Sequence, residues 1–246
     1  MSLAENIRKV QENIALAARE AGRDPSEITL VAATKVQTSD TIRQAIAAGI
    51  TVCGENRVQE MTAHLADDAY AGAALHFIGH LQTNKVKFVV GKVDLIESVG
   101  SEHLLEAIER QAEKIGVVQD ILLEVNVGGE ASKSGVSPQE LPALARKAAQ
   151  MEHVRLRGLM AIPPAAHAPG ENIPFFAEMK QLFVDIKGKM DDNDSVMDCL
   201  SMGMSGDYMD AVRQGATLVR VGTALFGPRP PMGAPQSASA PGPAAH

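Results

Sequence analysis

The chain has 246 residues, 45% of them hydrophobic, and a mean hydropathy near zero, which is the make-up of a globular protein able to bury roughly three quarters of its unfolded surface. Its net charge of −7 works against broad attraction to nucleic acid, and 3% aromatic residues with no tryptophan leave little for a base-stacking platform. No apolar stretch approaches the roughly 20 residues of a membrane span, no signal segment opens the chain, and Cys53 and Cys199 lack metal-site spacing, so a reduced, cytoplasmic protein is expected.

Leu3, Ile7, Val10, Ile14 and Ala18 fall at helical spacing, which predicts an amphipathic helix over 3–22 that Gly22 stops. Apolar, β-branched runs then alternate with helical patterns. The runs are 28–35, 51–55, 76–79, 94–99, 120–127, 155–161, 199–202 and 218–221. Helical stretches lie near 40–48, 57–67, 82–90, 101–115, 138–151, 172–190 and 206–215. Ser39-Asp40 and Ser101-Glu102 supply N-terminal capping chemistry, and Ser137-Pro138 sets proline at a first turn. Runs that are apolar on successive residues, such as Asp120-Ile-Leu-Leu-Glu-Val-Asn-Val127, suit a parallel sheet covered on both faces. Eight such strands in about 225 residues predict a single-domain (β/α)8 barrel over 1–227, with an open doubly wound sheet as the alternative. Residues 228–246 hold six of the thirteen prolines among Ala, Gly and Ser, and are expected to be a disordered tail.

Lys35 closes the apolar run Ile28-Thr-Leu-Val-Ala-Ala-Thr-Lys35 where a buried strand is predicted to open into a loop. Burial disfavours the charged form of an amine and frees its lone pair, as attack on a carbonyl requires. A lysine that merely snorkels, or that pairs with a carboxylate at the sheet edge, is the plainer alternative. In a barrel of this kind the loops after the strands form the functional face. That face receives Lys35, Asn56, His80, Glu124 or Asn126, Met160, Ser201, Ser205, Arg220, Gly222 and Thr223. Ser201-Met-Gly-Met-Ser-Gly206 enters a helix with backbone N–H groups and two hydroxyls, and Val219-Arg-Val-Gly-Thr-Ala224 adds a glycine and a threonine. The loops after strands seven and eight are the customary phosphate site of such barrels, so a phosphorylated aldehyde is the expected ligand. His76 and His80 lack the alignment of helical metal ligands, and no metal site is expected. Lys133 reads as a solvated loop residue, and Glu55 and Glu60 as helix-start carboxylates.

The chain resembles the pyridoxal phosphate homeostasis protein family, related in fold to the N-terminal domain of alanine racemase. The resemblance is carried by Val31-Ala-Ala-Thr-Lys35, Gly54-Glu-Asn-Arg-Val-Gln-Glu60, His76-Phe-Ile-Gly-His-Leu-Gln-Thr-Asn-Lys85 and Ser132-Lys-Ser-Gly135. It continues through Arg157-Gly-Leu-Met-Ala-Ile162, Leu200-Ser-Met-Gly-Met-Ser205 and Val219-Arg-Val-Gly-Thr-Ala-Leu-Phe-Gly227. It implies that Lys35 holds pyridoxal 5′-phosphate as a Schiff base and that Ser205, Gly222 and Thr223, with backbone near Met204, hold the phosphate. It also implies that Asn56, Met160 and Ser201 line the ring pocket and that Arg220 faces the ring nitrogen. Arg57 and His80 depart from the family pattern, standing where many relatives carry an aromatic and a proline. The implied role is a covalent cofactor carrier or buffer in vitamin B6 homeostasis, without efficient catalysis. Apo-enzymes that use the cofactor are the possible recipients, and a monomer is expected. An amino-acid racemase is the alternative, set back by the short stretch after Gly227, which leaves no room for the second domain of alanine racemase. A phosphate-binding barrel that makes no covalent link is the third.

Overall fold

The computed structural model describes residues 2–130, 134–166, 168–189 and 196–228. Nearly all of the proline-rich tail therefore lies outside the described residues, as does Lys133.

Eight strands form a closed parallel barrel: β1 (Thr29–Ala33), β2 (Val52–Glu55), β3 (Ala74–Phe77), β4 (Leu95–Val99), β5 (Gln119–Glu124), β6 (Val154–Met160), β7 (Cys199–Ser201) and β8 (Leu218–Val221). Closure is made by β1 and β8, with Thr29 opposite Leu218 and Val31 opposite Arg220, which excludes the open sheet. The helices are α1 (Leu3–Glu20), α2 (Ser39–Ala47), α3 (Val58–Ala66), α4 (Glu102–Ile115), α5 (Leu141–Ala149), α6 (Ile173–Lys189), α7 (Tyr208–Arg213) and the single turn α8 (Thr223–Phe226).

Strand alternation divides the apolar residues into two layers. Val31, Ala33, Val52, Ile78, Leu95, Leu122, Met160 and Leu218 pack inside the barrel. Their neighbours Leu30, Ala32, Cys53, Ile96, Ile121 and Leu123 face outward against the helices. Each helix covers the strands with one stripe, Leu104, Leu105, Ile108 and Ala112 in the case of α4. The N-terminal helix is capped by Ser2, whose hydroxyl accepts from Glu5 N while Glu5 reaches back to Ser2 N.

Some element boundaries differ from expectation. The segment predicted as a helix over 82–90 is a 3₁₀ helix, Thr83–Phe88. Its buried Val86 and the buried Val89 that caps its end are three apart, and the tighter winding stacks such residues on one face. α2 is capped by Thr38, one residue before the predicted Ser39-Asp40 start, and α5 begins at Leu141, past Pro138. β1 ends at Ala33, so Lys35 lies in the following turn, half-buried, and not in the strand itself.

Candidate functional site

A cavity of about 380 Å³ opens at the carboxyl ends of the strands, between the loops after β1, β2, β6, β7 and β8. Seven of the nine predicted binding residues line it: Lys35, Asn56, Met204, Ser205, Arg220, Gly222 and Thr223. Size does not single it out. A cavity of about 450 Å³ adjoins the loops after β3 to β5, and one of about 360 Å³ sits at the opposite end of the barrel beside Thr29 and Thr51. The chemistry of the lining does, because only here do an amine, a guanidinium and an N–H cradle share one space among the described cavities.

The cradle is built by β8 and the loop after β7. Gly222 N and Ala224 N both donate to Ser205 Oγ at 3.2 Å, so two amides at the start of α8 converge on one oxygen. That is the donor set an anionic oxygen needs, with Thr223 exposed beside it. The loop is held from behind by Asp207, which accepts from Met204 N at 2.7 Å and from Asn172 Nδ2 at 2.7 Å. Gly203 has a φ of +90°, and a Cβ there would lie 2.5 Å from Ala211 Cβ, so this turn requires glycine.

Arg220 lies at the floor. It is buried, donates to Ala161 O at 2.8 Å and to Ser201 Oγ, and stands 3.8 Å from Glu97 Oε2. Ser201 in turn donates to Glu97 Oε2 at 2.6 Å, and His76 Nδ1 meets Glu97 Oε1 at 2.7 Å. A four-residue polar chain thus crosses the barrel interior from β3 through β4 and β7 to β8. Burial pushes the Glu97 carboxyl up, but His76, Arg220 and Ser201 together outweigh it and hold the group below the usual carboxylate range. Burial pushes Arg220 downward against the attraction of Glu97, Glu124 and Asp207, yet a guanidinium starts so high that it stays a donor. Arg220 and Glu97 thus form a buried ion pair, withdrawn from solvent.

Two predicted residues do not line the cavity. Ser201 is fully buried between Arg220 and Glu97, and Met160 is fully buried in the interior layer beneath. Both support the floor from below. Glu97 and the role of His76 were missed by sequence reasoning, although a glutamate inside the apolar run of β4 was a usable signal. His76 faces Glu97, whereas His80 meets Ser134 Oγ at 3.1 Å, so the two histidines serve different partners.

Asn56 reaches the cavity because Gly79 lets the loop after β2 cross closely. A Cβ on Gly79 would stand 2.1 Å from Asn56 O. The Asn56 Oδ1 atom is buried without a hydrogen-bond partner among the described residues, which marks a place where a bound group is expected to donate.

These features define a class: a closed (β/α)8 barrel with a lysine after its first strand and an anion cradle at its seventh and eighth. Residues 6–230 match the family model of the alanine racemase N-terminal domain. Among curated relatives, the pyridoxal phosphate homeostasis protein of Aquifex aeolicus is 40% identical over 93% of this chain and 99% of its own length. That of Pseudomonas aeruginosa is 41% identical over 96% and 99%. PipY of Synechococcus elongatus, solved with PLP bound, superposes with a TM-score of 0.79 at 32% identity, covering 92% of this chain and all of that one. An alanine racemase of Clostridium difficile shares the fold at 15% identity and a TM-score of 0.70, over 57% of its length. The chain belongs to the pyridoxal phosphate homeostasis protein family.

Proposed function

We propose that this chain binds pyridoxal phosphate covalently through Lys35 and acts in vitamin B6 homeostasis as a carrier or buffer, without efficient turnover. The observation that carries the reading is the convergence on one cavity of Lys35, the Gly222–Ala224 cradle and the unpartnered Asn56 Oδ1. The donor set suits the ligand of PipY, and the curated relatives are named for pyridoxal phosphate homeostasis.

When bound, the cofactor supplies an aldehyde carbon that amines attack and a ring that takes up electron density. Lys35 would join the aldehyde, Gly222, Ala224, Ser205 and Thr223 would hold the phosphate, and Asn56 would accept a hydrogen bond along the ring edge. The family resemblance implies that Arg220 would face the ring nitrogen. Anchored by Glu97 and Ser201, that guanidinium would donate a hydrogen bond and deliver no proton, which would leave the ring a weak electron sink. Weak turnover with amino acids follows, which separates this reading from a racemase. Apo-enzymes as recipients and a monomeric state belong to the same proposal. No helix among the described residues is long and apolar enough to cross a membrane.

The test is spectroscopic. The purified protein should absorb in the visible, and borohydride should fix an adduct on the peptide containing Lys35. Lys35→Ala should lose the band, and Ser205→Ala with Thr223→Ala should weaken binding while the fold persists. Adduct mapped to Lys85 or Lys133, or pyridoxal without its phosphate binding as tightly as the phosphate ester, would overturn the assignment.

A further inference from the structure

The turn that bears Lys35 is strained. Gln37 N donates to Thr34 O at 3.0 Å, closing a four-residue turn with Lys35 and Val36 at its centre. Val36 has a φ of +60°. The third position of such a turn is ordinarily glycine or asparagine, and a β-branched residue there is a genuine conformational outlier. Packing does not compensate, because Val36 is half exposed.

What holds it comes from the next loop. Val36 N donates to Glu60 Oε2 at 3.0 Å. The other oxygen of Glu60 accepts from Arg57 Nη1 at 3.1 Å, and Glu60 sits in the first turn of α3, where the helix dipole favours a carboxylate. On the other side of Lys35, the Thr34 hydroxyl lies 2.7 Å from Glu55 Oε1, and Thr34 N donates to Gly54 O at 2.9 Å. The lysine is therefore gripped on both flanks by the segment 54–60.

We propose that Glu60, steadied by Arg57 and the start of α3, is a positioning residue for Lys35: by accepting the Val36 amide proton it maintains the left-handed valine that presents the lysine to the cavity. Arg57, which departs from the family pattern, thereby has a place in the site. Thr34 alone leaves the far side of the turn unsupported, and a valine released from Glu60 relaxes toward negative φ, swinging the preceding residue. The strain is stored where the chemistry needs one geometry. This inference rests on the reading that Lys35 carries the cofactor.

The experiment compares two ligands on four proteins. Cofactor-free wild type, Glu60→Ala, Val36→Gly and the double variant are titrated with pyridoxal phosphate and with pyridoxine 5′-phosphate, which has the same phosphate and ring but no carbonyl. Glu60→Ala should bind the aldehyde about tenfold more weakly, as loss of a hydrogen bond to a charged acceptor implies, and should react more slowly with it. Its affinity for the alcohol should be unchanged. In the double variant glycine adopts positive φ unaided, so aldehyde binding should recover to that of Val36→Gly. Equal losses for both ligands, or no loss, would overturn this inference alone. A wild type without any adduct at Lys35 would overturn the proposed function and this inference with it. If Glu60→Ala does not fold, the double variant decides: folding with binding like Val36→Gly supports the brace, and failure to fold shows that Glu60 is required elsewhere and rejects it.

Discussion

The two ends of this barrel treat charge in opposite ways. At the amino-terminal ends of the strands, Asp120 receives Arg155 and Arg157, each at 2.6 Å, and Arg157 reaches Asp198 at 2.6 Å. Every member has a partner, and both arginines and Asp198 keep contact with water. At the carboxyl ends, Arg220 and Glu97 are withdrawn from solvent, 3.8 Å apart, and Glu55 Oε2 and Asn56 Oδ1 are buried with no hydrogen-bond partner among the described residues. Charges at the base are set out for stability. Those at the mouth are desolvated, which strengthens every interaction they make and raises the cost of leaving one unmatched.

Breaking a pair at each end sharpens the contrast, and the largest effect is expected at the mouth. Glu97→Gln leaves the Arg220 guanidinium buried without its nearest counter-charge, a change that costs about 3–5 kcal/mol. For a domain of this size that lowers the unfolding midpoint by roughly 10 °C. Calorimetry of Glu97→Gln, Arg220→Met and the double variant checks it. The double variant should cost less than the sum of the singles, and strict additivity would show that the two groups do not couple.

That pair also shows where reading the chain succeeds and where it stops. Strand order, barrel closure and the loops proposed to hold the phosphate follow from local signals: β-branched runs at even spacing, glycines at turns, hydroxyls before a helix. Lys35, Ser205 and Gly222 were visible because each ends or closely follows such a run. Glu97 was not, because its partners His76, Ser201 and Arg220 are 21, 104 and 123 positions away and meet only when the barrel closes. The strain at Val36 was equally hidden, since nothing in Lys35-Val36-Gln37 spells a left-handed residue. Ser201 and Met160 were placed at the right end of the right strands, but strand alternation and depth set them beneath the cavity. Exact helix bounds, as at 82–90, depended on how the valines found the core.

At the base, Arg157→Ala should be mild. The arginine is partly exposed, Asp120 keeps Arg155, and pairs in contact with solvent are worth about 1 kcal/mol or less. Cofactor affinity should not change, because no base residue lines the cavity. Chemical denaturation and a cofactor titration of the same variant test both halves of the statement. A loss as large as that of Glu97→Gln would erase the distinction between the two ends.

The smallest effect concerns Glu124, which ends β5 and lines the neighbouring cavity of about 450 Å³. Burial pushes its carboxyl above the ordinary glutamate range, only partly offset by the Arg220 charge. A carboxyl with a raised folded pKa favours the fold below its unfolded pKa, and that contribution is lost as pH rises through the folded value. At neutral pH the native state therefore carries an ionised group it disfavours. Glu124→Gln should remove that penalty, so the variant should be slightly more stable than the parent at pH 7. The advantage should shrink as pH falls through the folded pKa and be gone below about 4.5. Unfolding curves of the two proteins across this range test the sign directly. Glu97, held low by His76, Arg220 and Ser201, should behave the other way, with the cost of Glu97→Gln persisting well below pH 4.5. If Glu124→Gln instead destabilised at pH 7 and not at pH 4, its carboxylate would be serving as a counter-charge to Arg220, and the mouth would hold two working ion pairs.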